Sequence, residues 1–184
     1  LGHGILSSCE HGWQGQYNDV IDLAKANGLK PLVSAEAYWV KDRFEKDRSN
    51  CHIFIAAMNE KGRRALNDVL SEANLTGFYG QPRLDVSLIL SLPKDDVVVT
   101  TACIGYWRYD DVEEITAKFA EHFGDHFFLE VQYHNTESQI QLNQRILELR
   151  KKLGAKLIMG CDSHYVMADQ GQARTDFLFS KGLE

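Results

Sequence analysis

Imidazole, carboxylate and thiolate side chains recur at a few marked places in this sequence: Glu10-His11-Gly12, Glu36, His52, Cys103 and Asp162-x-His164. Together they make the donor set that suits Zn²⁺ or a similar divalent ion, and a set this large can hold more than one. Clustered ions bring the pKa of a bridging water to near neutrality and clamp the oxygens of a phosphate ester, so phosphoester hydrolysis is the natural reaction class. Each residue alone has a plainer role. A lone His beside a strand usually makes an ordinary hydrogen bond, and a lone buried Cys usually packs. Gly12 would supply a positive φ beside a solvated Glu10, and Asp162 would cap a following helix.

The elements that must bring these residues together follow a β-then-α rhythm. Short apolar strands are expected at 5–9, 32–36, 52–57, 97–101, 127–132 and 156–161, each apolar enough to be covered on both faces. Helical stripes lie between them: Tyr17, Val20, Ile21 and Ala24, stopping at Asn27-Gly28; Leu66, Val69, Leu70 and Ala73; Val112, Ile115, Phe119 and Phe123; and Ile140, Leu142, Ile146, Leu149 and Leu153, opened by Thr136-x-x-Gln139. Alternating units of this kind imply a parallel sheet, open or closed into a barrel, with its chemistry at the carboxyl ends of the strands. Most of the marked residues fall at those ends. His52 instead opens its strand, which in an all-parallel sheet is the wrong end.

A length of 184 residues suits one domain over 1–184; 44% hydrophobic and 25% charged residues with three prolines exclude disordered and fibrous classes. The apolar runs are far too short to cross a bilayer, so no membrane partner is expected. A net charge of −6 gives no global positive field for nucleic acid, so any DNA contact must come from a local patch or another domain. The four cysteines form no CxxC pair, which fits reduced thiols and a cytoplasmic location. Of these, Cys9, Cys51 and Cys161 are expected to pack; His3, His122, His126 and His134 are expected to be structural or surface residues, with His134 the exception to watch. Trp107 and Tyr109 are expected on an aromatic rim. Leu1 follows no start methionine or leader, and is expected to be an internal point of a longer protein.

Six stretches, in order, resemble the PHP (polymerase and histidinol phosphatase) domain of bacterial-type DNA polymerase III alpha subunits. Ser8-Cys9-Glu10-His11-Gly12 is similar to that family's TDHG segment, and Lys30-Pro31-Leu32-Val33-Ser34-Ala35-Glu36-Ala37-Tyr38 to KPIIGCEAY. His52-Ile53-Phe54-Ile55-Ala56-Ala57-Met58-Asn59 resembles HLLLLAKN, and Gly77-Phe78-Tyr79-Gly80-Gln81-Pro82-Arg83-Leu84-Asp85 resembles GFYYKPRID. Thr101-Ala102-Cys103-Ile104-Gly105 is similar to SGCLG and Cys161-Asp162-Ser163-His164-Tyr165 to NDVHY, with Phe128-Leu129-Glu130-Val131-Gln132 also in place.

The resemblance implies a distorted (β/α)7 barrel of the PHP type, with six of its seven βα units in this chain, and a centre of two or three divalent ions, Zn²⁺ or Mn²⁺. The matching ligands are His11, Glu36, His52, Cys103, Asp162 and His164. The family's HxH pair and first Asp have no counterpart, so a further N-terminal strand, loop and helix are expected before Leu1 and polymerase domains beyond Glu184. Glu10 stands where the family has Asp and is expected to orient His11; Arg83 is expected to touch substrate. The implied function is the PHP domain of a replicative polymerase, hydrolysing phosphodiesters at a DNA primer-template 3′ end through a metal-bound hydroxide, as a 3′-5′ proofreading exonuclease among other replisome subunits. The alternatives are a metal-stabilised scaffold of the polymerase and a stand-alone phosphoesterase.

Overall fold

The computed structural model describes residues 2–49 and 51–182; Leu1 and Glu184, from which flanking segments are expected, lie outside the described residues. Seven strands and six α-helices follow one another as β1 (Ile5–His11), α1 (Tyr17–Ala26), β2 (Lys30–Val40), β3 (Cys51–Ala57), α2 (Glu60–Thr76), β4 (Arg83–Asp85), α3 (Val86–Leu90), β5 (Val97–Thr100), α4 (Val112–Phe123), β6 (Phe127–Gln132), α5 (Glu137–Leu153), β7 (Lys156–Gly160) and α6 (Gly171–Ser180). Side chains start three of the helices: Asn59 accepts from the Gly62 N–H, Asp85 from Leu88 and Thr136 from Gln139. Each satisfies a backbone donor that the first turn leaves unpaired.

The strands form one mixed sheet in the order β1-β2-β3-β5-β6-β7, with β4 also paired to β2. Four pairings are parallel, as the βα rhythm predicts, but β3 runs antiparallel to both β2 and β5. This corrects the all-parallel expectation. A parallel return needs a crossover of a dozen or more residues, usually a helix, and the described residues 41–49 between β2 and β3 contain none. Among the described residues no pairing joins β1 to β7, so the sheet is a parallel-rich arc with those two strands at its ends.

Strand alternation divides the sheet into two unlike faces. Ala35, Ala37 and Trp39 of β2, Ile53 and Ile55 of β3, Val97 and Val99 of β5, and Phe127 and Leu129 of β6 are buried against Leu66 and Leu70 of α2, Phe119 of α4 and Ile146 of α5. Each buried Val, Leu, Ile or Phe among them stabilises the fold by about 1.5–3 kcal/mol. Stability therefore resides on the helix-covered face. The opposite face carries Ser34, Glu36, His52, Phe54, Thr100, Glu130 and Gln132, because these occupy the alternate positions of the same strands. Among the described residues no helix is long and apolar enough to cross a membrane.

Candidate metal centre

The polar face ends in a cavity of about 380 Å³ lined by Cys9, His11, Glu36, Phe54, Ala102, Cys103, Glu130, Gln132, Asp162, Ser163 and His164. His11 closes β1 and pairs in register with Glu36 of β2, which sets their side chains next to each other on one face. His52 enters from the opposite direction. Because β3 is antiparallel, its amino end lies at the carboxyl edge of its neighbours, with Tyr38 opposite His52 and Glu36 opposite Phe54. The donor atoms of His11, Glu36 and His52 consequently lie within 4.8 Å of one another.

Glu36 is the hub of this cluster. Its Oε1 accepts from His52 Nδ1 at 2.9 Å, and its Oε2 lies 3.5 Å from His11 Nε2. The same His52 Nδ1 is 3.4 Å from Cys103 Sγ. Asp162 and His164 close the far wall after β7, with His164 Nδ1 bonded to the Asp162 carbonyl at 2.8 Å. The backbone is strained at both supporting loops. Ala102 (φ 47°) and Asp162 (φ 43°) have the only positive φ angles of non-glycine residues among the described residues, and both line the cavity. Such conformations cost about 1–3 kcal/mol each and persist where surrounding structure over-determines them, commonly at functional sites.

Burial pushes the Glu36 carboxyl upward, but the His52 hydrogen bond and the charges of His52, His11 and His164 outweigh it and hold the group below its ordinary range. His52 moves the other way. Its bonds to Cys103 and Glu36 raise its pKa to about 10, so without a cation the imidazole is protonated at neutral pH and forms an ion pair with Glu36. Cys9 stands in the cavity lining with its surface open to solvent; partial desolvation by the cavity walls and then the Glu36 charge push its thiol up to about 11, and it keeps its proton.

Five of the six expected ligands line the cavity, and His52 joins through its contacts with Glu36 and Cys103. Glu10 is placed differently from the expectation. Adjacent strand residues face opposite ways, so Glu10 points away from His11 and its Oε2 accepts from the Gln16 N–H at 3.0 Å, fixing the turn into α1. Arg83 is 1% exposed and absent from the cavity; its guanidinium donates to the carbonyls of Gly77, Asp47 and Arg43 at 2.6–2.8 Å, a fastening for the loops around β4. Cys51 packs in the core as expected, whereas Cys9 and Cys161 are exposed. Trp107 is buried against Tyr106 and under Arg145 instead of standing on a rim, and Tyr109 packs on Trp39.

Sequence reasoning overlooked Glu130. Its carboxylate accepts from Thr100 Oγ1 at 2.8 Å and from Gln132 Nε2 at 3.0 Å, held on the cavity floor. The available signal was the alternation within Phe127–Gln132, which puts Glu130 and Gln132 on the face opposite Phe127 and Leu129.

Comparison with known proteins gives this arrangement its relatives. The family model for the PHP domain matches residues 2–134. The chain belongs to the PHP family. DNA polymerase III subunit alpha of Borreliella burgdorferi is 32% identical over 165 residues, covering 82% of this chain and 14% of that protein. The same subunit of Aquifex aeolicus is 32% identical over 194 residues, covering 95% and 16%, and that of Thermus aquaticus is 30% identical over 183 residues, covering 91% and 15%. The chain thus spans about one-sixth of the length of these relatives. A crystal structure from Bifidobacterium adolescentis, provisionally assigned as a metal-dependent phosphoesterase, superposes with a TM-score of 0.57 at 12% identity, covering 90% of this chain and 79% of that one. At that identity the likeness is one of fold. The match to the PHP model stops before Asp162 and His164, which the alignment to the Aquifex protein, with its 95% coverage, is long enough to approach.

Proposed function

We propose that this chain is the PHP domain of a DNA polymerase III alpha subunit and that its cavity hydrolyses phosphodiesters at a DNA 3′ end. The carrying observation is the convergence of three histidines, two carboxylates and a thiol on one cavity from five separate segments of the sequence. The donor chemistry fits two or three divalent cations, Zn²⁺ or Mn²⁺, held by His11, Glu36, His52, Cys103, Asp162 and His164. When bound, such cations supply Lewis acidity toward phosphate oxygens and a nucleophile at neutral pH. Glu36, whose two oxygens face different histidines, would be the central holding residue of the set. Glu130, held by Thr100 and Gln132, is placed to orient a water or a sugar hydroxyl at the cavity floor. His52 would hold a cation only as the neutral imidazole, so it would have to release the proton it shares with Glu36. The arc of strands fits within a distorted (β/α)7 barrel, and the replisome in the cytoplasm is the corresponding setting.

The test is metal content and nuclease activity of the purified protein beside its Glu36→Ala and Asp162→Ala variants. Bound Zn²⁺ or Mn²⁺ that falls in both variants, with loss of 3′-end cleavage of a labelled single strand, is expected. Metal retained without cleavage on any strand would move the assignment to a metal-stabilised scaffold, and cleavage of a small phosphomonoester alone to a stand-alone phosphoesterase.

A further inference from the structure

A second cavity, of about 310 Å³, lies behind the far wall of the first and is lined by His134, Cys161, Asp162, Ser163, His164, Tyr165 and Arg174. The two cavities share the segment 162–164 and therefore adjoin. Arg174 is the cation of this second space. It is half-buried on α6, and among the described residues no ion pair or hydrogen bond of its side chain is found, in a protein where most half-buried guanidiniums are committed to carbonyls or carboxylates. The turn that leads into its helix is tied internally: Gln170 Oε1 accepts from the Val166 and Met167 N–H groups, and the Tyr165 ring lies against Gly171 at the start of α6.

An unpaired guanidinium beside an imidazole and a phenol is suited to a phosphate, which takes two parallel bonds from Arg and further bonds from the other two. Asp162 is the one carboxylate in the lining, and it belongs to the wall shared with the first cavity. With a net charge of −6, affinity for a nucleic acid strand has to come from such local cations.

Resting on the proposed phosphodiesterase reading, we propose that Arg174, with His134 and Tyr165, forms a subsite for the phosphate adjacent to the one in the metal cavity. The preferred substrate is then a strand with consecutive phosphodiesters, and a lone phosphate ester is a poor one. Arg174 is a specificity residue here, and it acts through binding.

Two measurements on the wild type, Arg174→Ala and Arg174→Lys separate this from the catalytic reading. The first is anisotropy of a fluorescein-labelled oligothymidylate in chelator, titrated with salt. Arg174→Ala is expected to bind about tenfold more weakly, with the slope of log K against log salt reduced by about 0.7, one phosphate contact on a single strand; Arg174→Lys is expected to keep the slope. The second is metal-loaded hydrolysis, in which Arg174→Ala is expected to raise KM for the oligonucleotide at unchanged kcat and to leave bis(p-nitrophenyl) phosphate, which has no adjacent phosphate, unaffected. Equal affinity and equal slope in Arg174→Ala, or no strand binding by the wild type, overturns the subsite. If no variant hydrolyses anything yet Arg174→Ala still loses the salt slope, the subsite stands and the catalytic reading falls.

Discussion

Metal loading at this site should be a proton exchange centred on His52. In the free protein its imidazole is held protonated, with a pKa of about 10, by Cys103 and Glu36. Below that value every cation that takes the His52 nitrogen must first expel a proton, so at a working pH of about 7.5 the competition weakens the apparent affinity by about two to three decades. At 1.4 kcal/mol per decade this is roughly 3–4 kcal/mol. Affinity should therefore climb about tenfold per pH unit up to pH 10. The stability of the free protein follows the opposite sign. A histidine whose folded pKa is raised contributes fully below its unfolded value of 6.5, and the contribution is lost as pH rises toward 10. Titration calorimetry with Zn²⁺ in buffers of different ionisation enthalpy counts the protons directly: close to one proton attributable to His52 is expected at pH 7.5. Cys103→Ala removes one of the two partners of His52 and should reduce both the release and its pH slope. Metal binding with no proton release between pH 7 and 8, and no slope, would refute the coupling between Glu36, His52 and Cys103.

Two further expectations concern the frame around the site. Arg83→Met leaves three carbonyls without their donor, at about 1 kcal/mol each; the urea midpoint should fall by about 1.5 M for an m-value near 2 kcal/mol/M, with strand cleavage per folded molecule unchanged, and a shift below about 0.5 M would contradict the fastening role. Gly62→Ala gains about 1 kcal/mol of helix propensity but places a Cβ 1.9 Å from the Asp96 carbonyl oxygen, a backbone atom that also accepts from the Met58 N–H. The clash should prevail, giving a net loss of about 1–2 kcal/mol in thermal or urea unfolding, and a more stable variant would show that α2 can shift freely.

Much of the site was legible because its donors sit at strand ends, where residue type alone marks them. His11, Glu36, Cys103, Asp162 and His164 needed only the βα rhythm to be brought together. His52 was legible as a donor but not in place, since period and apolarity do not record strand direction; the short link between β2 and β3, with no helix in its described residues 41–49, is what turns β3 round. The three-residue β4 escaped for another reason: Arg83–Asp85 is too short for a periodic signal and is fixed by tertiary bonds of Arg83 and by the Arg43–Asp85 pair at 2.6 Å. Arg83 itself shows the limit of residue type, because an arginine that grips backbone carbonyls and one that grips a ligand look alike in a sequence. Glu10 failed through parity, since a one-residue step along a strand reverses the face.

The reversed strand also sets an order of assembly. Glu36 and His52 meet across a β2–β3 hairpin, separated by 16 residues, whereas Asp162 lies 126 residues from Glu36. Closing the shorter loop is favoured by about 2 kcal/mol of chain entropy, and antiparallel neighbours of this kind form early in folding because their contacts are local. The half with the paired charges is therefore expected to form before the half that completes it. During synthesis the hairpin would offer a cation its first foothold long before α5 and β7 emerge, and a metal ion captured there would help draw the strained Asp162 turn into place at the end.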